Sequence, residues 1–196
     1  MSTAGAVTAI RAAKERGVSV AAEATPHHLV LDHAELVSFD TALRTEPPLR
    51  TPEDTAAIRA ALLDGTIDAI ATDHSPHTRQ QKERPFASAP AGTIGLETAF
   101  AVANTELGAD IEHLVALLSH NPARIAGIAD RHGGPIEVGR PANLTVLDLD
   151  EEWTISGGMS ASRSENSIFE GRRVRGRVRH TFWNGTVMVK DGVAQR

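Results

Sequence analysis

An α/β fold with the strand–helix–strand rhythm of a barrel is predicted by three stretches of this sequence. Thr51-Pro52 opens a helix that Gly65 closes, and the short apolar run Thr66-Ile67-Asp68-Ala69-Ile70 follows at once, as a buried strand does after a short turn. That run ends in Ala71-Thr72-Asp73-His74-Ser75-Pro76-His77, an acid and two imidazoles at the carboxyl end of a strand, where barrels carry their active face. From Pro135 the texture changes to strand-like runs, with a hairpin signal at Asn184-Gly185.

Taken in order, residues 5 to 16 place Val7, Ile10 and Ala13 at helical spacing, and Gly17 closes that helix. Val18 to Ala24 reads as a strand leading to Glu23, Thr25 and Pro26. His27 and His28 follow it; on a strand, adjacent histidines would face opposite sides, so at most one would face a site. A structural hydrogen-bonding role and a ligand role are both open for them. Leu29 to Leu36 is a loop or short helix, and Phe39 to Thr45 reads as a further strand before Glu46-Pro47-Pro48.

Thr51 is the expected N-cap of the next helix, with Pro52 in its first position and Glu53 and Asp54 at its positive end. Ile58 and Leu62 form its buried stripe. Residues 78 to 92 read as a polar flap whose Arg79, Lys82 and Arg84 are solvated. Its Pro90-Ala91-Gly92 corner is either a plain turn or a place where backbone approaches a ligand. Helices are expected over Leu96–Leu107 and Ile111–Leu118, the second capped by Asp110, and a third starts at Asn121-Pro122 and ends at Gly127. Strands are expected at Asn143–Leu147, His180–Trp183 and Thr186–Val189.

Composition narrows the function. The 196 residues are 41% hydrophobic, enough for a packed core, and the net charge of −5 argues against nucleic acid as the partner. The basic run Arg172, Arg173, Arg175, Arg177 and Arg179 lacks interleaved aromatics and reads as a solvated face. With no cysteine, disulfides and thiolate metal sites are excluded, leaving histidine and carboxylates as possible ligands. No apolar run approaches the roughly 20 residues of a membrane span, and the first residues lack a signal peptide's layout. A cytoplasmic protein is expected. By residue type alone, Asp73 with histidines one and four residues on suits metal binding and proton transfer, but also a capped turn with a satisfied histidine.

Several segments together carry a resemblance. Thr72-Asp73-His74-Ser75-Pro76-His77, Gly95-Leu96-Glu97-Thr98-Ala99, Glu23-Ala24-Thr25-Pro26-His27-His28-Leu29, Pro47-Pro48-Leu49-Arg50, Asp64–Ile70 and Asn121-Pro122-Ala123 resemble, in order, the corresponding segments of bacterial dihydroorotases of the amidohydrolase superfamily. The resemblance implies the C-terminal part of a metal-dependent (β/α)8 barrel over residues 1–134. Over 135–196 it implies part of a small β-sandwich. It implies Asp73 as zinc ligand and general acid/base, His77 as a substrate-binding histidine, and Ala91-Gly92 as backbone contacting substrate, where the family usually has Phe-Gly. Glu46 stands where the family has a substrate-binding asparagine, a departure that sets a carboxylate against a dicarboxylate substrate.

The implied reaction is reversible cyclisation of N-carbamoyl-L-aspartate to dihydroorotate in pyrimidine synthesis, with one or two zinc ions. Ser2-Thr3-Ala4-Gly5 resembles the family's His-Val-Ser-Thr segment with Met1 at the valine. The family's other metal ligands have no counterpart here. A truncated chain, inactive by itself, is therefore expected. Two other roles share these features: a non-catalytic subunit that scaffolds aspartate transcarbamoylase, and another cyclic amidohydrolase such as a hydantoinase or allantoinase. A homo-oligomer also fits.

Overall fold

A computed structural model describes residues 1–195, and the chain divides into two compact units. The first comprises Met1–Ala99 and Thr154–Arg172; the second comprises Phe100–Trp153 and the residues from Arg173 on.

In the first unit, helix α1 (Ala4–Glu15) is capped by Thr3, whose side chain accepts from the Ala6 N–H, and Gly17 follows in the left-handed region at φ 78°. Strand β1 (Glu23–Ala24) runs into helix α2 (Pro26–Val30), and two 3-10 turns, His33–Ser38 and Thr41–Leu43, lead on to helix α3 (Pro52–Leu63). Thr51 and Asp54 form a full capping box at the start of α3, as the sequence requires. Asp54 also accepts the Ala4 N–H at 2.8 Å, tying the start of α1 to that of α3. Ile58, Ala61 and Leu62 of α3 are fully buried, as are Leu29 of α2 and Ile67 before strand β2 (Ala69–Ile70). Burying each of the larger aliphatic side chains contributes roughly 1.5–3 kcal/mol.

Strands β1 and β2 pair in parallel, Glu23 opposite Ala69 and Ala24 opposite Ile70. The ladder is shorter than the apolar runs suggested. Val18 is half exposed, and Asp68 takes the Ala22 N–H with its carboxylate while binding Lys14 at 2.7 Å, so side-chain bonds replace part of the ladder. Phe39–Thr45 is not a strand. The Asp40 carboxylate accepts the Ala42 N–H at 2.8 Å, and this local bond closes a 3-10 turn. His27 and His28 sit on α2 rather than on a strand, and both are buried. Within the flap, Thr78 caps the short helix α4 (Arg79–Lys82).

The second unit holds most of helix α5 (Ala99–Glu106), then α6 (Ile111–Val115), a π-helical turn (Ala116–His120) and α7 (Asn121–Ile125). Asp110 caps α6 as expected. The two helices expected here run on as one stretch. Pro122 lacks an N–H and crowds the preceding turn, and the wider π turn just before it accommodates both effects. A four-stranded sheet follows in the order β3 (Leu144–Thr154), β4 (Arg173–Trp183), β5 (Thr186–Lys190), β6 (Val193–Ala194).

Asn184 and Gly185 turn β4 into β5 with φ 47° and 80°, the conformation that Asn-Gly supplies at a tight hairpin. The arginines of β4 are a solvated face, but a paired one. Arg173 meets Glu152, Arg175 meets Asp150 at 3.8 Å, and Arg177 and Arg179 meet Glu151 at 3.1 and 2.7 Å. Among the described residues, no helix is long and apolar enough to cross a membrane.

Candidate active site

The site is built where β2 ends. After Ile70 the Ala71 N–H still bonds to the Ala24 carbonyl of β1, and the chain turns at Asp73, a non-glycine residue at φ 48°. Aspartate tolerates that left-handed conformation better than most side chains. His74 pairs with Thr93 as an isolated parallel bridge, and its Nδ1 accepts the Gly95 and Leu96 N–H groups at 3.2 and 3.4 Å. Its imidazole is therefore occupied in holding backbone. A Cβ at Gly95 would come within 2.6 Å of the Thr72 carbonyl oxygen, so this approach requires glycine.

Asp73 is partly exposed, and His27 lies beneath it. The His27 Nε2 is 3.9 Å from Asp73 Oδ2, and the two side chains are 1% and 34% exposed. That nitrogen is buried with no hydrogen-bond partner among the described residues. Burial, reinforced by the positive charges of His28 and the N-terminal ammonium when these are protonated, pushes the His27 pKa down to about 3. His27 is thus neutral near pH 7. Burial, and then the negative charge of Glu23, raises the Asp73 pKa above the ordinary carboxylate range.

His28 does different work. Its Nε2–H donates to the Pro47 carbonyl at 3.1 Å, and its Nδ1 accepts from the Thr25 hydroxyl at 2.7 Å. It ties the end of β1 to the Pro47-Pro48 turn, and burial lowers its pKa.

His77 and the Ala91-Gly92 corner are brought into direct contact. The His77 Nε2–H donates to the Ala91 carbonyl at 2.8 Å. Gly92 lies at φ 134°, and a Cβ there would meet Ser75 Cβ at 2.5 Å and His77 Nε2 at 2.9 Å. No other residue fits that approach without displacing the ring.

The corner's carbonyls are all engaged by side chains: Ala89 by Arg44, Pro90 by Lys82 at 3.1 Å, Ala91 by His77, and Gly92 by Lys82 and Asn166 at 3.0 and 3.1 Å. Lys82 is therefore half buried in the corner rather than solvated, and burial lowers its pKa. Glu46 is exposed. Its near neighbour Arg44 accepts the Gly92 N–H at 2.8 Å, which sets Glu46 two residues from the corner's partner. Glu46 makes no hydrogen bond or ion pair with Asp73 or His77 among the described residues.

Asn166 is a site residue that sequence reasoning missed. It lies 89 residues beyond His77 in a Ser-Glu-Asn stretch that reads as ordinary loop, and no local pattern marks it. Among the described residues, no three His, Asp or Glu side chains lie together so as to hold a metal ion. Asp73 offers one carboxylate, His27 faces it from below at 3.9 Å, and that pair does not make a complete zinc site.

Residues 1–188 match the amidohydrolase family. The chain belongs to that family. This amidohydrolase is 45% identical over 195 residues to the dihydroorotase of Mycobacterium tuberculosis, covering 97% of this chain and 45% of the relative. It is 43% identical over 196 residues to the dihydroorotase of Streptomyces coelicolor, with 98% and 46% covered. The chain thus spans less than half the length of these relatives. Among solved structures it is similar to the L-hydantoinase (dihydropyrimidinase) of Arthrobacter aurescens, with a TM-score of 0.92 and 28% identity over 100% of this chain and 45% of that one. The family and that likeness imply a TIM-barrel-type α/β fold.

Proposed function

We propose that this chain is the C-terminal part of a zinc-dependent dihydroorotase, which interconverts N-carbamoyl-L-aspartate and dihydroorotate in the cytoplasm. The observation that carries the reading is the 45% identity to a dihydroorotase across 97% of the chain, against 28% to a hydantoinase of the same fold. Residues 1–134 are read as the last strands and helices of the barrel, and 135–196 as its contribution to a small β-sandwich.

Asp73 is assigned as the proton carrier and as this chain's metal ligand. In the hydrolytic direction water adds to the ring carbonyl and Asp73 accepts its proton. The C–N bond then breaks, and Asp73 returns the proton to the departing nitrogen. Its raised pKa supports that cycle, because the carboxyl group must hold the proton between the two events. His77 and the Ala91-Gly92 backbone are assigned to binding the substrate, within one hydrogen-bonded cluster. Glu46, exposed beside that cluster, is assigned to its rim.

A second reading is favoured by Glu46, an exposed carboxylate where the resemblance calls for a substrate-binding asparagine. In it the chain belongs to a non-catalytic subunit that binds aspartate transcarbamoylase or a second copy of itself. The deciding assay is dihydroorotate hydrolysis with added zinc, on this chain and on a form extended upstream in its reading frame. Activity in the extended form that disappears in Asp73→Asn supports the enzyme. A folded, inactive extended form supports the scaffold.

A further inference from the structure

We propose that Asn166 is a positioning residue that locks two separate loops, one carrying His77 and the other Gly92, into a single substrate-facing unit. The inference rests on the assignment of those two residues to substrate binding. Its geometry stands on five hydrogen bonds. The Asn166 side-chain Oδ1 accepts the His77 N–H at 3.2 Å. Its Nδ2 donates to the Ser75 carbonyl and to the Gly92 carbonyl, both at 3.1 Å. Its own carbonyl accepts from the Ile94 N–H and the Thr93 hydroxyl, both at 3.1 Å. Two residues earlier, the Ser164 hydroxyl donates to the His77 carbonyl at 2.8 Å, so both polar groups of the His77 backbone are held by one short segment.

Only a primary amide meets these demands. The position needs one acceptor facing an N–H and a donor group facing two carbonyls, and a carboxylamide carries both on one rigid plane. An aspartate would keep the acceptor and set a carboxylate against two carbonyl oxygens. An alanine would lose everything. The bridge also bears on the His77 ring. His77 Nε2 reaches the Ala91 carbonyl only while the residue 77 backbone and the Ala91-Gly92 corner hold their separation, and the missing Cβ of Gly92 leaves no slack between them. Lys82 grips the corner from its outer side, through the Pro90 and Gly92 carbonyls. Among the described residues outside these loops, Asn166 is the side chain that bonds to both of them directly.

The test uses the whole chain, labelled with 15N and 13C, as wild type, Asn166→Ala and Asn166→Asp. Amide exchange and the His77 ring nitrogen signals are read by NMR, before and after adding dihydroorotate. In wild type the His77 N–H is protected and the ring is the Nε2–H tautomer. In Asn166→Ala, exchange at His77 rises about fivefold to tenfold and the ring signals move toward a tautomer mixture, while α3 amides keep their protection. In Asn166→Asp the His77 N–H stays protected but the ring signals still move, because the ties to the Ser75 and Gly92 carbonyls are cut.

Dihydroorotate that shifts the wild-type His77 signals, and does so about tenfold more weakly in both variants, completes the case. Unchanged His77 amide and ring signals in both folded variants would overturn the proposal. If Asn166→Ala unfolds, Asn166→Asp and Ser164→Ala carry the same comparison. A wild-type chain whose His77 signals ignore dihydroorotate would count against the substrate assignment, and the ligand-independent shifts would still decide the role of Asn166.

Discussion

Lowering the pH from 7 to 5 removes a definite share of this protein's stability through His27. The side chain is 1% exposed, and its pKa in the folded chain is about 3. In the unfolded chain the same imidazole titrates near its ordinary value of about 6.5. Between these two values the unfolded state binds one more proton than the folded state, so stability rises with pH in that window and falls as pH drops through about 6.5 toward 3. From pH 7 to pH 5 the loss works out at about 2 kcal/mol for this one residue, and any folded-state value below about 4 gives the same figure.

His27→Leu removes the titration while keeping a buried side chain of similar volume, and it leaves no bonded partner behind at Nε2. Urea unfolding of both proteins at pH 7 and pH 5 isolates the term, since His28 and the carboxylates contribute equally to each. The variant is expected to lose about 2 kcal/mol less than the wild type over that interval. Parallel pH dependences in the two proteins would refute the reasoning, because they would mean that the folded state admits a charged His27.

Gly92→Ala is expected to cost at least about 2 kcal/mol, since it adds a strained φ to contacts no Cβ can make, and thermal unfolding reads it directly. Thr51→Ala removes half of the capping box and is expected to cost about 1 kcal/mol in a urea titration. Asp54→Ala is expected to cost more than Thr51→Ala in the same titration, because Asp54 also accepts the Ala4 N–H and so serves two helices; equal losses would show that the tie to α1 contributes nothing.

The parts of the fold legible in the sequence are those whose cause is local. Thr51, Pro52 and Asp54 fix a helix start by bonds within four residues, Asp110 does the same for α6, and Asn184-Gly185 fixes a hairpin by its own dihedral preferences. Phe39–Thr45 is not a strand because its apolar spacing competes with an equally local signal, the Asp40 carboxylate, which closes a 3-10 turn. His27 and His28 follow a helical rather than a strand period, because Pro26 presets a helical turn and both rings lie inside. Lys82 looked solvated because nothing in its own stretch shows the carbonyls of residues 90 and 92 lying within its reach. The site shows the same division. Asp73, His77 and Gly92 are visible as residue types at a strand end or a turn, whereas Asn166 depends on a pairing across 89 residues that no spacing rule encodes.

That long-range pairing has an energetic basis. The first unit is interrupted after Ala99 and completed by Thr154–Arg172, a segment on the far side of the textural change at Pro135. A boundary drawn by texture between 134 and 135 separates Asn166 from both loops it joins. What returns the segment to them is apolar: Ile155, Ile168 and Phe169 are 1%, 8% and 3% exposed. At roughly 1.5–3 kcal/mol for each of the three side chains, that burial outweighs the roughly 3 kcal/mol net that the three hydrogen bonds of the Asn166 amide supply together. The amide therefore does not recruit its segment. The apolar anchors do so, Ile168 and Phe169 two and three residues after it and Ile155 eleven before it, and the Ile168 N–H adds a 2.8 Å bond to the Thr93 hydroxyl beside the corner. With its backbone fixed by neighbours, Asn166 loses little further freedom in forming its bonds, and its contribution goes into geometry, holding the His77 backbone and the Gly92 corner at a fixed separation.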